Sequence, residues 1–195
     1  MRKIILFNMV TLDGFFEGLN HNLDWHHVDA EFNDFAYEQL NAVDGIIFGR
    51  KTYDLMASYW TTSDAMTNDT IIANLMNAKA KFVFSKTMKK ATWNNTLLIK
   101  DNVFLEVEKL KLLPGKDLIL FGSATLASTF RELDLIDEYR IMINPIILAQ
   151  GNPLFKQTSE PSPLTLIKTK TFISGNVLLF YEPNRENKHP TAISK

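Results

Sequence analysis

The chain has 195 residues, 46% of them hydrophobic and 22% charged, so one ordinary globular domain can bury a core large enough to shape a pocket. Its formal net charge is −1 and charges of both signs are interspersed, which leaves no basic face for neutralising phosphates and argues against a nucleic-acid partner. Cysteine is absent, which excludes disulfides, thiolate metal ligands and a cysteine nucleophile.

The first apolar run, residues 4–10, follows Arg2 and Lys3 and resembles the start of a signal peptide. Residues 11–14 interrupt it without a small-residue cleavage site, so a buried strand is the better interpretation. No apolar stretch of the sequence reaches the roughly 20 residues that span a bilayer. We therefore expect a cytoplasmic protein with no membrane partner.

Short runs rich in Ile, Leu, Val and Phe alternate with segments of helical periodicity, which is typical of an α/β sheet with crossover helices. The continuous apolarity of these runs indicates strands that are buried on both faces. We predict strands over residues 3–10, 45–49, 81–85, 96–99, 117–121 and 137–145, and helices over residues 29–42, 52–58, 68–77, 102–111 and 124–133.

The last third of the chain has a different pattern. Two strand-like runs, residues 164–173 and 176–181, flank the turn signal Ser174-Gly175, which predicts an antiparallel hairpin after the parallel strands. Prolines in residues 158–163 indicate a surface connection. We expect residues 1–182 to form one domain and residues 183–195 to be a flexible tail, because the tail lacks apolar periodicity.

The strand predicted over residues 45–49 runs directly into Gly49-Arg50-Lys51-Thr52 and a helix. Glycine at the end of a strand lets a ligand approach the backbone, and the following helix N-terminus offers unpaired N–H groups to an anion. Thr52 can add a hydroxyl group, and Arg50 or Lys51 a positive charge. This combination suits phosphate binding, although a tight turn at Gly49 with two solvated cations explains the same residues.

The strand predicted over residues 117–121 repeats this arrangement, since Gly122, Ser123, Ala124 and Thr125 follow it and lead into a helix. Small residues at such a turn let a pyrophosphate lie on the helix N-terminus. Two turns of this kind suggest one extended nucleotide across the strand ends. The alternative is a helix that Ser123 or Thr125 merely caps.

A third turn follows the strand predicted over residues 81–85, where Ser85 and Lys86 place a hydroxyl group beside a cation. Such a pair suits the 2′-phosphate that distinguishes NADPH from NADH. The alternative interpretation is a solvent-exposed loop.

The loop over residues 11–18 is rich in turn formers and carries Asp13, Phe15, Phe16 and Glu17. A mobile loop after the first strand suits the task of covering a nicotinamide and excluding water from a hydride-transfer site. Alternatively, Asp13 only caps a turn and the two phenylalanines divide between core and surface.

Two carboxylates, Asp29 and Glu31, stand at the start of a predicted helix whose apolar stripe includes Phe32 and Phe35. Reduction of a C=N or C=O bond needs a proton as well as a hydride. A carboxyl group in an apolar cleft can bind a heterocycle nitrogen or help to deliver that proton. A capped and solvated helix start is the alternative.

Other catalytic classes have little support. The histidines at positions 21, 26 and 27 lie close in sequence but have no His-x-x-x-His spacing, so we predict no metal site. A Gly-x-Ser-x-Gly elbow is also absent from the sequence, which argues against a serine hydrolase.

Taken in chain order, the motifs resemble one known family. They are Thr-Leu-Asp-Gly at residues 11–14, Gly-Ile-Ile-Phe-Gly-Arg-Lys-Thr-Tyr at residues 45–53, Phe-Gly-Ser-Ala-Thr-Leu at residues 121–126, and Leu-Ile-Asp-Glu-Tyr-Arg-Ile-Met-Ile-Asn-Pro at residues 135–145. This ordered set resembles the RibD C-terminal family, which comprises the reductase domain of a bifunctional riboflavin-biosynthesis enzyme and many small stand-alone relatives. The resemblance covers residues 3–181.

The resemblance implies an α/β, dihydrofolate-reductase-like three-layer fold with a mixed, mostly parallel central sheet, flanking helices and a C-terminal antiparallel hairpin. It also implies an NADPH-dependent reductase of a pteridine- or pyrimidine-like heterocycle. The implied cofactor contacts are Met9, Val10 and Thr11 at the nicotinamide, Gly49, Arg50, Lys51 and Thr52 at the phosphates, Ser85 and Lys86 near the 2′-phosphate, and Gly122, Ser123, Ala124 and Thr125 at the pyrophosphate.

For the substrate side, Trp25 resembles the tryptophan that precedes the substrate-binding helix of dihydrofolate reductases, with Phe32 and Phe35 on that helix. Asp13 matches the aspartate of the family's Leu-Asp-Gly motif and joins Asp29 and Glu31 as a candidate catalytic group. Pairing on the tryptophan places Ala30, not an acid, where the pterin-binding carboxylate is expected, which weakens the case for folate as substrate.

Three hypotheses follow. The leading one is an NADPH-dependent reductase of a small heterocycle. The second is a nucleotide-binding protein of the same fold without turnover, because the proton donor is unassigned. The third is a non-enzymatic scaffold that functions through self-association, since members of this class resemble homodimers and the apolar residues 141–148 offer either interface or core.

Overall fold

Consecutive apolar strands build a central sheet in a computed structural model that describes residues 1–155 and 160–185. The strands are β1 (Ile4–Thr11), β2 (Phe15–Glu17), β3 (Val43–Gly49), β4 (Ala80–Phe84), β5 (Thr96–Ile99), β6 (Asp117–Phe121), β7 (Glu138–Asn144), β8 (Asn152–Pro153), β9 (Leu164–Thr171) and β10 (Val177–Pro183). The helices are α1 (Ala30–Asn41), α2 (Arg50–Trp60), α3 (Ser63–Asn68), α4 (Thr70–Ala78), α5 (Val103–Leu112) and α6 (Ala124–Glu132), with one 3-10 turn at Leu19–His21.

The main sheet has the strand order β5-β4-β3-β6-β1-β7-β10-β9. Neighbouring strands from β5 to β7 are parallel, whereas β10 pairs antiparallel with both β7 and β9. The prediction of a mixed sheet with parallel strands first and an antiparallel hairpin last is therefore confirmed. The parallel arrangement also gathers the carboxyl ends of β1, β3, β4 and β6 at one edge, because parallel strands point the same way.

Alternation along each strand divides the core into two layers. Phe7 and Met9 of β1 pack into the layer that contains Phe35 of α1, whereas Leu6 packs into the opposite layer with Phe130 of α6. Every residue of β1 is buried, as the continuous apolar run predicted. Burial of these apolar side chains is the main stabilisation of the sheet.

The expectation of two-sided burial is wrong for β5. This strand pairs only with β4 at the sheet edge, and Ile99 is the single buried residue of its four. Apolar composition does not distinguish an edge strand from a central one, because that difference depends on which strands pair.

Other departures from the predicted elements have local or tertiary causes. Helix α2 begins two residues earlier than predicted, since Gly49 is extended (φ −81°, ψ 161°) and Arg50 is already helical. Helix α3 was not predicted, and Thr62 caps it by accepting a hydrogen bond from the amide of Ala65. In the loop expected to be turn-rich and mobile, β2 pairs antiparallel with β8, a partner more than a hundred residues away.

We predicted one domain over residues 1–182 and a flexible tail after it, and the boundary at residue 182 stays a prediction. Pro183 pairs with Leu164 in the β9–β10 ladder, and the Arg185 guanidinium lies 3.2 Å from the Asp137 carboxylate. Residues 186–195 of the predicted tail and residues 158–159 of the predicted connection lie outside the described residues.

Candidate functional site

The predicted cofactor turns meet at the carboxyl edge of the parallel strands. Gly49 ends β3, Ser85 follows β4, and Gly122 follows β6, while β1 ends at Thr11. Strand β6 lies between β3 and β1, so the turn at Gly122 is flanked by the other two strand ends. The structure therefore brings together segments that the sequence separates by more than a hundred residues.

The two glycine turns interlock. A Cβ atom placed on Gly49 would overlap the Ser123 hydroxyl and lie 2.8 Å from Ser123 Cβ. A Cβ atom on Gly122 would lie 2.9 Å from both Oγ1 and Cγ2 of Thr52, and Gly122 also has a positive φ of +61°. Only glycine fits at either position without displacement, and as a result the first turns of α2 and α6 lie side by side.

The two helix N-termini differ in how their amides are satisfied. Ser123 caps α6, since its hydroxyl accepts a hydrogen bond from the Leu126 amide at 3.4 Å. Gly49 precedes α2 and has no side chain with which to cap it. The first amides of α2 therefore receive no hydrogen bond from a cap side chain, and the positive end of the helix dipole is available to an anion.

The side chains of Arg50 and Lys51, at the N-terminus of α2, point in different directions. Arg50 is exposed, and its guanidinium lies 3.8 Å from the carboxylate of Asp54 on the next turn of α2. Lys51 is directed towards the loop after β2, where its Nζ lies 3.4 Å from Nε2 of His21. The two residues predicted to supply positive charge thus flank the α2 N-terminus on different sides.

At the third turn, the Ser85 hydroxyl accepts hydrogen bonds from the amides of Thr87 (3.3 Å) and Met88 (3.0 Å). Ser85 is partly buried and Lys86 is exposed. This geometry agrees with a capped surface turn, and it leaves the lysine side chain directed to the surface at the same edge as the two glycine turns.

The end of β1 is tightly held. Met9, Val10 and Thr11 are buried, and the Thr11 hydroxyl donates to Asp13 at 2.6 Å while accepting from the Phe15 amide at 3.0 Å. These contacts fix the backbone at the place where a nicotinamide was predicted to approach.

The carboxylate of Asp13 joins two loops. Besides Thr11, it accepts hydrogen bonds from the amides of Ala149 (2.8 Å) and Leu148 (3.3 Å), beyond β7. The hydrogen bond from the Thr11 hydroxyl is the largest cause that holds the Asp13 pKa below its usual value, and the two amides act in the same direction. A carboxylate kept ionised in this way binds amides better than it delivers protons.

The predicted acids of α1 are also engaged. Asp29 is the N-cap of α1, since its carboxylate accepts from the Phe32 amide at 2.8 Å. Glu31 accepts from the Ile173 amide at 2.9 Å and lies 3.9 Å from the ammonium of Lys170, so it ties α1 to the β9–β10 hairpin. Their predicted catalytic roles remain predictions.

The predicted substrate residues lie on the core layer beside α1. Phe35 is buried, with its ring 5.8 Å from that of Phe7 and 5.9 Å from that of Phe172, and Phe32 is partly buried against the same cluster. Trp25 is buried, and its indole N–H donates to the Asn22 carbonyl at 3.2 Å. An aromatic wall therefore runs from α1 towards the end of β1.

The sequence did not single out two buried polar residues of this half, Asn144 and Asn176. Asn144, at the end of β7, accepts from the His27 amide at 3.0 Å, and Asn176 donates to the His27 carbonyl at 3.0 Å. Next to them, burial lowers the pKa of His26 to about 4, and its Nε2 is buried without a protein partner. Asn144 is a polar residue within an apolar strand run, which was an available signal, whereas no local pattern indicated Asn176. His26 was considered only as a metal ligand.

Within the described ranges, no helix is both long and apolar enough to cross a membrane. The same residues contain no group of three or more histidine or acidic side chains that could hold a metal ion.

Comparison with known proteins gives consistent matches. A model of the family described as RibD C-terminal domain matches residues 2–178. The protein YyaP of Bacillus subtilis (strain 168) is 41% identical over 185 residues, which is 94% of this chain and 96% of YyaP.

Solved structures share the fold. The crystal structure of a putative riboflavin biosynthesis protein from Shewanella sp. PV-4 has a TM-score of 0.72 at 26% identity, and the match covers 94% of this chain and 99% of that one. Dihydrofolate reductase from Enterococcus faecalis, solved as a complex with NADP(H), has a TM-score of 0.63 at 11% identity, covering 93% of this chain and 96% of the other. The predicted dihydrofolate-reductase-like fold is confirmed.

Proposed function

We propose that this chain, which belongs to the RibD C-terminal domain family, is an NADPH-dependent oxidoreductase that reduces a pteridine- or pyrimidine-like heterocycle. One observation carries the proposal. The interlocked glycine turns after β3 and β6 hold two helix N-termini side by side at the carboxyl edge of a parallel sheet, and α2 has no capping side chain. That arrangement suits a pyrophosphate.

The cofactor contacts follow from this placement. The α2 amides at Arg50, Lys51 and Thr52 suit one phosphate, and the turn from Gly122 through Ser123 and Ala124 to Thr125 suits its neighbour. Lys86, exposed beside Ser85, suits the 2′-phosphate of NADPH. The dihydrofolate reductase from Enterococcus faecalis shares the fold and was solved as a complex with NADP(H), which supports the same cofactor class.

A bound NADPH would supply the hydride, and the protein would supply orientation, water exclusion and a proton route. The buried backbone of Met9, Val10 and Thr11 fixes one wall of the nicotinamide position. Phe32 and Phe35 offer an apolar wall on which a planar heterocycle packs.

Among the three candidate acids, Glu31 is the best suited to relay a proton. Asp13 holds two loops together and Asp29 caps α1, whereas the Glu31 carboxylate has one amide partner and one ammonium group at 3.9 Å. We assign Glu31 the relay role on that comparison.

The protein is proposed to act as a homodimer through the sheet face that lies opposite α1 on β7, β10 and β9. Alternation directs Ile143, Val177 and Leu179 to this face, because Met142 and Leu178 belong to the layer beside α1. Among the described residues, these three pack into neither core cluster. Leu166 of β9 continues the face and is 50% exposed. A second copy of the chain would cover this apolar strand surface.

The function is tested by titrating NADPH and NADH separately into the purified protein and then measuring cofactor oxidation with a panel of pteridines and aminopyrimidines. We expect NADPH to bind more tightly than NADH, and oxidation by at least one heterocycle. Glu31→Gln should lower kcat more than it changes the cofactor Kd, with Glu132→Gln, on the exposed end of α6, as the matched control. Absence of binding to either cofactor at millimolar concentration contradicts the proposal. Binding without turnover favours a nucleotide-binding protein instead.

A further inference from the structure

A chain of polar contacts links helix α2 to the loop that follows β1 and β2. Lys51 Nζ lies 3.4 Å from His21 Nε2, and His21 Nδ1 lies 2.8 Å from Glu17 Oε1. The Asn152 side chain, on β8, donates to the same Glu17 oxygen at 2.7 Å. Four side chains from three separate parts of the sequence therefore form one connected row.

The row joins segments that follow strands on either side of β6. Lys51 belongs to the first turn of α2, which follows β3, whereas His21 and Glu17 belong to the segment that follows β1. Strand β6 lies between β3 and β1 in the sheet, with one strand on each side. The contact between Lys51 and His21 therefore joins the segment after β3 to the segment after β1, the two strands that lie on either side of β6.

The partners of His21 select one form of its ring. A lysine ammonium group only donates hydrogen bonds, so Nε2 of His21 must accept. The ring proton is then on Nδ1, where the Glu17 carboxylate accepts it. Glu17 is the more buried of the two, with 15% of its side chain exposed against 54% for His21, so the carboxylate anchors the ring.

The backbone under His21 is also unusual. Asn20 and His21 have φ values of +57° and +62°, a left-handed conformation that costs energy for residues other than glycine. Such conformations persist where surrounding contacts hold them, and they are concentrated at functional sites. Here both ring nitrogens of His21 lie against a side chain, with Glu17 at Nδ1 and Lys51 at Nε2.

We propose that His21 is a positioning residue that, anchored by Glu17, holds the Lys51 ammonium group beside the phosphate site. This inference rests on the proposed function and deepens it, because it assigns a role to a residue outside the three turns. Lys51 uses one of its three N–H donors on His21 and keeps the others for a phosphate oxygen. A lysine side chain that is already ordered loses less conformational freedom when an anion binds.

The first test uses the protein without cofactor. Histidine labelled with 15N is observed by long-range 1H–15N correlation at pH 8, which reports which ring nitrogen carries the proton. We expect the Nδ1–H tautomer for His21 in both the wild type and Lys51→Met, because the Glu17 carboxylate accepts that proton in each protein. We also expect the Nε2 resonance to shift in Lys51→Met, where Nε2 no longer accepts from the ammonium group. An Nε2–H tautomer in the wild type, or an unchanged Nε2 resonance in Lys51→Met, overturns the inference.

The second test measures the NADPH Kd of three variants by titration. His21→Ala should raise the Kd by about 3- to 10-fold, and His21→Gln, whose amide can both accept from Lys51 and donate to Glu17, should recover most of that loss. His27→Ala, an exposed histidine outside the row, is the control and should leave the Kd unchanged. A Kd for His21→Ala within twofold of the wild type overturns the inference while the proposed function stands. Failure of the wild type to bind either NADPH or NADH overturns both.

Discussion

The cofactor half and the substrate half of the candidate site are built in different ways. In the cofactor half, each turn is one continuous segment of strand, glycine and helix, and the two turns fit because Gly49 meets Ser123 and Gly122 meets Thr52. In the substrate half, α1, the end of β7 and the β9–β10 hairpin are joined by single side chains such as Glu31 and Asn176. Local chemistry determines the first half, whereas tertiary contacts determine the second.

A substitution at Gly49 should produce the largest effect and should act on the cofactor half alone. In Gly49→Ala the added methyl group overlaps Ser123, so the two turns must separate. We expect the NADPH Kd to rise by about 30- to 100-fold, which corresponds to a loss of roughly 2–3 kcal/mol of binding free energy. Binding titration on folded protein measures it.

The matched control removes the Ser123 side chain that the new methyl group overlaps. The double variant Gly49→Ala with Ser123→Gly lacks the side chain that the new methyl group meets, and it should recover at least part of the affinity. An unchanged Kd in Gly49→Ala, or no recovery in the double variant, contradicts the account of interlocked turns.

In the substrate half, the free energy of unfolding should depend on pH because of His26. Burial lowers its folded-state pKa to about 4, below the unfolded value of 6.5, so the unfolded chain binds more protons between these pH values. Stability should therefore be fully present above pH 6.5 and fall as the pH drops from 6.5 towards 4, by on the order of 2–3 kcal/mol from this group.

Urea unfolding between pH 4 and 7 measures that dependence. His26→Phe should remove most of it, whereas His27→Gln, with an exposed side chain, should retain it. The same pH profile in His26→Phe as in the wild type contradicts the assignment.

The smallest effect on the site is expected from the sheet face opposite α1, which belongs to neither half. Leu179→Lys places a charge on this face and should convert a dimer into a monomer while the NADPH Kd changes by less than about twofold. Light scattering measures the mass, and Leu97→Lys, exposed on the opposite sheet edge, is the control. A wild-type monomer, or a dimer unaffected by Leu179→Lys, contradicts the proposed interface.

Sequence reasoning succeeded where short segments carry the information. The runs that became β1, β3, β6 and β7, and the order of parallel strands followed by a hairpin, were predictable because buried strands have continuous apolar patterns. The turns at Gly49 and Gly122 were predictable for the same reason, since strand, glycine and helix are contiguous. The resemblance to a known family then implied a common ligand for these turns.

The remaining features depend on long-range contacts. The β2–β8 pair joins residues 15–17 to residues 152–153, and no local pattern indicates which partner a three-residue strand will find. The hydrogen bonds that the amides of Leu148 and Ala149 donate to the Asp13 carboxylate also join distant parts of the chain, so no local pattern indicates them. The contact between His21 and Lys51 also depends on the tertiary fold, and no local sequence pattern indicates that the two residues meet.

A backbone amide NMR titration of the 15N-labelled protein with NADPH tests directly whether both glycine turns hold one cofactor. We expect the amides of Arg50, Lys51 and Thr52 and those of Gly122, Ser123 and Ala124 to shift together and to saturate at one equivalent. Shifts confined to other surfaces, or shifts at only one of the two turns, would contradict the claim that both turns hold one extended cofactor.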